Sequence, residues 1–311
     1  MLAIAIGWTV WMVSAGAAST TPVAAEPPAP PPPGPLPLVV AATVTLDAPG
    51  EGRRGALHYR VTDGDRWQLQ TRRSGAMVIA AEGQPGTTEP TPTTVDTLDV
   101  EVRDQAVVVT LVDASLEGAD IPTLARINAA VLPLAAVHRV LPADPKGRAY
   151  GTFEGPADAS NELGAELLDD MAWALDAVAI PLPNEAVAVG ARWSWTRDVS
   201  EQGVAIRESL HAELLDLRGE KAVIKLTVAG EADATVVAGI AIGGLTLSGS
   251  GTVWLDMRRP PATGAALDLV ATLKLPATDT TPDQTATATT HLELAARDRP
   301  KQRVDRARVG G

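Results

Sequence analysis

The sequence predicts a mainly β protein of the α+β class, with curved antiparallel sheets in two related halves and one principal helix between them. Many segments alternate apolar and polar residues at a period of two, which is typical of antiparallel strands with one buried face. One segment near the middle of the chain has a helical period instead. Glycines within an alternating segment, LTLSGSG, indicate bends of a curved sheet.

The N-terminal region is predicted to be an export signal followed by a spacer. Residues 1–25 carry no charged side chain and contain the apolar block Leu2–Val13, with the small-residue cleavage pattern Ala15-Gly16-Ala17 after it. The usual basic start is missing, so either the true start lies upstream or the export signal is atypical. An uncleaved N-terminal anchor is the alternative to a cleaved signal. Residues 26–37 are rich in proline, which favours a polyproline II spacer outside any core. We therefore expect an exported protein that is periplasmic, at the cell surface or secreted.

The first β-rich half is predicted over residues 38–158. Ala56–Val61 and Arg66–Arg72 alternate around an Asp-Gly turn, which predicts a hairpin. A second antiparallel pair is predicted over residues 97–112, with its turn near Arg103-Asp104-Gln105. The intervening Gly83–Thr94 is predicted to be a loop from its Pro, Gly and Thr content.

The end of this half is less regular. Residues 121–141 fit a short helix followed by strands, and Pro133 excludes one long helix. A turn is predicted at Asp144–Gly147, with a strand after it.

The principal helix is predicted within residues 159–183, which also contain a proline-rich linker. Its apolar positions fall on one face at helical spacing: Leu163, Leu167, Met171, Ala174 and Val178. Asp158 or Ser160 is the expected N-cap. The acids Glu162, Glu166, Asp169 and Asp170 are interpreted as a solvated face rather than a metal site, because no histidine joins them at ligand spacing.

The second β-rich half is predicted over residues 184–296, and residues 297–311 are predicted to be a disordered basic tail. Gly64–Arg72 (GDRWQLQTR) resembles Gly190–Arg197 (GARWSWTR), which indicates an internal repeat. In this comparison Trp67 takes the place of Trp193, and Leu69 takes the place of Trp195.

The candidate ligand-binding residues are Trp195 and Trp193. Both indoles point to the same side of one predicted strand, where they can pack in the core or stack on a ligand. The recurrence of Trp193 as Trp67 favours core packing. Trp195 has no aromatic counterpart and is the stronger candidate for ligand contact.

The composition excludes several classes of function. The chain has no cysteine, which excludes disulfides, thiolate metal sites and cysteine nucleophiles. Its net charge of −12 argues against nucleic acid as a partner. The four histidines are far apart in sequence and have no partner at zinc-ligand spacing: His58, His138, His211 and His291. We therefore predict no catalytic residues, no metal ligands and no cofactor.

The chain resembles exported bacterial β-rich proteins of unknown function. The resemblance covers the signal, the spacer, PLPNEAVAVGARW between the halves and the hairpin Gly251–Leu269 (GTVWLDMRRPPATGAALDL). Because such proteins have no established activity, the resemblance supplies no functional residues. At the level of architecture alone, the chain also resembles the curved-sheet lipoprotein carriers of the periplasm.

The expected function is non-catalytic binding of an apolar small molecule, or of an envelope component through a partner surface. Membrane contact is expected only through the N-terminal segment, if that segment is uncleaved. A hydrolase with a site assembled from scattered residues is one alternative, and a structural or adhesive envelope module is another. A large apolar cavity favours the binding protein, and a buried His–carboxylate–hydroxyl cluster in a cleft favours the hydrolase. A filled core with neither feature favours the structural or adhesive module.

Overall fold

The computed structural model describes residues 43–81, 83–142, 144, 146–147, 152–155, 162–201, 204–237, 240–278 and 282–298. The predicted export signal and spacer lie outside these residues. So do the candidate caps Asp158 and Ser160, and residues 299–311 of the predicted tail.

Within the described residues the chain forms fourteen strands, two α-helices and one 3-10 helix. In chain order they are β1 (Val44–Ala48), β2 (Arg66–Ala81), β3 (Thr87–Arg103), β4 (Ala106–Leu116), α1 (Ile121–Val131), the 3-10 helix (Leu132–Ala136), β5 (His138–Pro142), β6 (Thr152–Glu154), α2 (Glu162–Val178), β7 (Arg192–Glu201), β8 (Val204–Arg218), β9 (Lys221–Ala232), β10 (Thr235–Val237), β11 (Ile240–Ile242), β12 (Gly244–Asp256), β13 (Gly264–Leu275) and β14 (Gln284–Arg297). The mainly β, α+β class is as predicted.

Twelve of these strands form one antiparallel sheet in the order β1-β7-β8-β9-β12-β13-β14-β2-β3-β4-β5-β6. Strand β14, from the end of the chain, pairs along its whole length with β2 from the beginning. Both predicted halves therefore contribute to a single continuous sheet. The remaining pair, β10 and β11, forms a small hairpin between β9 and β12.

The sheet is curved, as predicted, and glycines within its strands permit the close approach of neighbouring backbones. A Cβ atom at Gly75 would collide with the carbonyl oxygen of Thr289 on β14. At Gly251, a Cβ would collide with the carbonyl oxygen of Ala266 on β13. Only glycine fits such positions, where the strand bends tightly against its partner.

The concave face of the sheet forms the core together with the two helices. Strands β2, β8 and β13 alternate buried and more exposed residues over most of their length, as one-sided burial requires. Helix α2 contributes Leu167, Met171, Ala174, Leu175 and Val178 to the same apolar cluster as the strands. The predicted apolar face of this helix is thus confirmed.

The predicted hairpin between Ala56–Val61 and Arg66–Arg72 is wrong. The first segment belongs to no strand, because β14 and β3 already pair with the two edges of β2. It packs elsewhere: the amide of Arg60 donates to the carbonyl of Met257, and the Tyr59 hydroxyl donates to the carbonyl of Pro261. The Asp-Gly turn itself forms, with Gly64 at φ +88°.

The predicted loop over Gly83–Thr94 is wrong in part, since β3 begins at Thr87 and contains Pro90 and Pro92. This part of β3 pairs with β2 on one side, and β4 begins to pair only at Thr94. Proline is tolerated in a strand whose other edge is unpaired, because no amide is needed there.

The remaining turns and helices follow the prediction closely. Asp104 and Gln105 have φ values of +49° and +62° and form the turn between β3 and β4. Residues 121–141 form α1, the 3-10 helix and most of β5, so a short helix is added to the principal one. Asp120 caps α1 by accepting a hydrogen bond from the amide of Thr123 at 2.9 Å.

The segment between α2 and β7 is packed against its surroundings. Val187 forms a β-bridge with Gly55, and the amide of Ala188 donates to the carbonyl of Pro49. Gly190, at φ +83°, makes the turn into β7. These contacts fix the position at which Trp193 enters the core.

Candidate functional site

The concave face carries a set of charged and polar residues among its apolar ones. The buried members are Thr71 and Arg73 on β2, Asp96 on β3, Arg139 on β5, Glu208 on β8 and Asp170 on α2. Charged side chains are rarely buried this completely unless they are paired. Their partners therefore indicate what holds the helix against the sheet.

Arg73 is shared between two acids, one on the sheet and one on the helix. Its Nη2 atom donates to Oδ2 of Asp170 at 2.5 Å and lies 3.6 Å from Oδ2 of Asp96. The Thr71 hydroxyl donates to the same oxygen of Asp96 at 3.1 Å. We call Thr71, Arg73, Asp96 and Asp170 the Arg73 cluster.

The Arg73 cluster leaves much of its hydrogen-bonding capacity unused. Of the eight buried side-chain atoms without a partner among the described residues, four belong to the cluster (Nε and Nη1 of Arg73, Oδ1 of Asp96 and Oδ1 of Asp170) and a fifth is Oγ1 of the neighbouring Thr94. Unsatisfied buried polar atoms cost free energy, so a native protein keeps few of them in one place. Their concentration beneath α2 marks this region as unusual.

The charges of the cluster change its protonation equilibria. Burial raises the pKa of Asp96 to about 6, and nearby Asp170 adds to the rise, although Arg73 and the Thr71 hydroxyl act in the opposite direction. The pKa of Arg73 is raised, because its two acids outweigh the opposing effect of burial. A carboxyl that titrates near pH 6 inside a protein is a candidate for a functional role.

Two further arginines hold the C-terminal part of α2. Nη2 of Arg139 donates to Oδ1 of Asp176 at 2.7 Å, and Nη1 of Arg197 donates to the main-chain oxygen of the same residue at 3.1 Å. Arg139 lies on β5 and Arg197 on β7, which are the second strands from the two ends of the sheet. The sheet thus curves around the helix, so that strands near its two opposite edges both bind the same helix residue, Asp176.

Arg197 also makes a close pair within the sheet. Its Nε donates to Oε2 of Glu208 at 2.5 Å, and the two side chains are 8% and 6% exposed. Neither residue contributes to the buried unpartnered atoms of the described chain. This pair is therefore better satisfied than the Arg73 cluster.

On β7 and β8 the buried charged pair lies between two apolar clusters. On β8, Leu210 belongs to the main cluster and Ile206 to a smaller one, with Glu208 between them. On β7, Arg197 likewise lies between Trp195 of the main cluster and Val199, which packs against the smaller cluster. The concave face therefore presents apolar, polar and again apolar surface in sequence.

The predicted ligand-binding tryptophans are both in the main core. Trp193 is 0% exposed and its indole Nε1 donates to the carbonyl of Pro181 at 2.9 Å, whereas Trp195 is 2% exposed. The indole Nε1 of Trp195 has no partner within the described chain. The structure places these residues beside Arg197, and their contact with a ligand stays a prediction.

Three residues with side chains typical of hydrolase sites occupy neighbouring positions on the convex face. Asp268 on β13, His291 on β14 and Ser74 on β2 are directly opposite one another across adjacent strands. Nδ1 of His291 is 2.7 Å from Oδ1 of Asp268, and its Nε2 is 3.5 Å from Oε1 of Glu293. The pKa of His291 is raised by its hydrogen bonds to these two carboxylates, and the bond to Asp268 has the larger effect.

Two of the other histidines make local contacts. His138 shares a hydrogen bond with Thr110 at 2.8 Å, and His58 accepts one from Arg60 at 2.6 Å. In the described parts of the chain, no group of three His, Asp or Glu side chains is placed to hold a metal ion. None of the described helices is long and apolar enough to span a membrane.

Comparisons with known proteins add little. Neither a protein-family model nor a curated protein matches the chain. Among solved structures it is similar to OmpTdeltaL8, a loop L8 deletion mutant of OmpT, an outer membrane protein of Vibrio cholerae. That match has 6% identity and a TM-score of 0.18, and it covers 75% of this chain and 100% of that chain. A similarity at this level carries no argument about fold, location or function.

Sequence reasoning missed the Arg73 cluster. It assigned Asp170 to a solvated helix face, but Asp170 is buried against Arg73, so that prediction is wrong for this residue. Glu166 and Asp169 are exposed, as expected. A signal was present: Arg73 continues the alternation of Trp67, Leu69 and Thr71, which places its side chain on the buried face of β2.

Proposed function

We propose that this is an exported, non-catalytic protein that binds an apolar ligand between the concave face of its sheet and helix α2. The location rests on the signal-like sequence of residues 1–25. The ligand class is an apolar small molecule of the envelope. The bound form requires α2 to move away from the sheet, because the helix occupies that surface.

The observation that carries the proposal is the way α2 is attached to the sheet. The helix covers apolar residues, but in the described residues the Arg73 cluster beneath it leaves four buried polar atoms without partners, and the neighbouring Thr94 leaves a fifth. A half-satisfied polar interface is less stable than an apolar one of the same size. The helix is thus a weakly optimised cover over an apolar concave surface, which is the kind of surface that binds small molecules.

The direct test is native mass spectrometry of the full chain purified from its own host, before and after lipid extraction. We expect the protein to carry an apolar molecule at a fixed stoichiometry, and lipid extraction to remove that molecule. A chain that carries no molecule, with or without extraction, contradicts the proposal.

A second test changes the attachment of the helix. Asp176→Asn weakens the bond to Arg139, so less free energy is needed to displace α2, and the affinity for a fluorescent long-chain fatty acid should rise several-fold. Asp198→Asn is the matched control, since Asp198 pairs with Arg207 on the surface and both are at least 74% exposed. Equal affinities of the two variants would argue against α2 as the cover.

A hydrolase is the second candidate, favoured by the row of Ser74, His291 and Asp268. The order hydroxyl, imidazole, carboxylate is that of a nucleophilic site. Two features oppose it: the row lies on the convex face, and His291 Nε2 faces Glu293. An alkyl fluorophosphonate should label wild type but not Ser74→Ala if this candidate is correct, and an unlabelled wild type rejects it.

A further inference from the structure

We propose that the Arg73 cluster is a buried proton-binding site, centred on Asp96, that couples the attachment of helix α2 to pH. The site does not depend on any ligand, so it can be tested whether or not the proposed function is correct. It is composed of residues from the sheet and the helix, and a change in its charge therefore acts on the contact between them.

The charge balance is the first argument. Arg73 supplies one positive charge, and its Nη2 atom is near Oδ2 of both Asp170 and Asp96, at 2.5 Å and 3.6 Å. With both acids ionised, the buried cluster has one surplus negative charge. A buried unpaired charge is strongly unfavourable, and binding one proton removes it.

The hydrogen-bond balance is the second argument. Asp170 takes the shorter contact with Arg73, whereas Asp96 is held only by the Thr71 hydroxyl and the longer contact. Atoms without a partner around them in the described region are two carboxylate acceptors (Oδ1 of Asp96 and Oδ1 of Asp170), two donors (Nε and Nη1 of Arg73) and the Thr94 hydroxyl. Asp96 is the less firmly held of the two acids, so a proton on Asp96 replaces the weaker contact with Arg73.

The surroundings of Asp96 favour the neutral form. The charged groups that act on it are Arg73 from β2, Asp170 from α2 and Asp113 from β4, and Glu166 from α2 acts on Arg73. Two of the three groups that act directly on Asp96 are acids, and Asp96 is 2% exposed. Asp96 is therefore the acid that takes the proton.

The direction of the pH effect follows from the pKa of Asp96, which burial raises from 3.8 to about 6. Between pH 3.8 and about 6, Asp96 is mostly protonated in the folded protein and mostly ionised in the unfolded chain. The stabilising contribution is fully present below about pH 4, declines as pH rises through about 6, and is absent above that. Helix α2 is thus attached more firmly in mildly acidic solution.

The test compares wild type with Asp96→Asn by denaturant unfolding from pH 4 to pH 7.5. Other acids respond to pH in both proteins, so the ratio of their unfolding constants isolates Asp96. We expect the wild-type constant to rise about 50-fold relative to the variant between pH 4 and 7, from a pKa that is 3.8 in the unfolded chain and about 6 in the folded protein. A pH-independent ratio overturns the proposal.

Hydrogen exchange on the wild type gives an independent readout if the variant fails to fold. After correction for intrinsic rates, the amides of α2 should be less protected at pH 7 than at pH 5, while those of α1 should change little. Equal protection of α2 at the two pH values contradicts the coupling.

A metal cation is the competing occupant, since it would also neutralise the surplus charge. At pH 7.5, replacing choline chloride with sodium chloride at equal ionic strength should leave wild-type stability unchanged. If sodium stabilises wild type but not Asp96→Asn, the site binds a metal cation and the assignment to a proton is wrong.

Discussion

The hairpins β2–β3 and β7–β8 present equivalent residues to the core at equivalent cross-strand positions. The matched pairs are Trp67–Val100 with Trp193–Ala212, Leu69–Leu98 with Trp195–Leu210, and Thr71–Asp96 with Arg197–Glu208. This register agrees with the sequence similarity between the two segments. A common origin of the halves stays a prediction.

The two hairpins differ in the position of the arginine relative to the buried acid. In β7–β8, Arg197 is directly opposite Glu208 and binds it at 2.5 Å. In β2–β3, Thr71 is opposite Asp96, and the arginine lies two residues farther along, at position 73. From there it binds Asp170 of α2 more closely than Asp96.

The position of the arginine therefore changes the charge balance around the buried acid. An acid with its own arginine has a balanced charge at any pH near neutrality. An acid that shares its arginine with a helix has a surplus charge and unsatisfied atoms, and both depend on where the helix lies. Four predictions test this comparison.

The largest effect is expected for Trp195→Ala, compared with Leu69→Ala at the matched position. Trp195 is 2% exposed, so its removal should lower the free energy of unfolding by about 3–5 kcal/mol, measured by urea denaturation. Binding of the fluorescent fatty acid by the folded fraction should not change if Trp195 is only core. A stable variant that loses binding would instead identify Trp195 as a ligand contact.

The second-largest effect is a difference in stability between variants of the two buried acids, Glu208 and Asp96. Glu208→Gln leaves the guanidinium of Arg197 buried without its acid, which should cost about 3 kcal/mol at pH 7.5. Asp96→Asn leaves Arg73 paired with Asp170, and we expect a change within about 1 kcal/mol or a gain. Equal costs measured by denaturant unfolding would remove the distinction between the hairpins.

Gly75→Ala should destabilise by about 1–3 kcal/mol, because the new Cβ collides with the carbonyl oxygen of Thr289. Strand β2 continues past this bend to Ala81, whereas β7 ends at Glu201. Ser74→Ala is the neighbouring control and should be within about 0.5 kcal/mol. If thermal unfolding shows no difference between the two, Gly75 does not determine the bend.

The smallest effect compares the matched indoles. Trp193 donates a hydrogen bond to Pro181, whereas Nε1 of Trp67 has no partner in the residues described. Trp193→Phe should therefore cost about 1 kcal/mol more than Trp67→Phe in equilibrium unfolding. The reverse order would mean that Trp67 has the more important polar contact.

The sequence predicted most local structure because local structure depends on periodicity and turn chemistry. It placed the apolar face of α2 and the turn at Asp104 correctly. It failed at Ala56–Val61, where alternation predicted a strand. Alternation reports one-sided burial, and burial against Met257 and Pro261 produces the same pattern as pairing in a sheet.

The sequence by itself determined the β class, the apolar face of α2, the absence of cysteine chemistry and the positions at which glycine permits bending. Only the tertiary structure decided which strands are neighbours, and therefore that Arg139 and Arg197 meet at Asp176 from opposite ends of the sheet. The burial of Trp193 and Trp195 in the main core is likewise visible only in the tertiary structure. Charge pairing between residues distant in sequence depends on three-dimensional proximity, which periodicity does not encode.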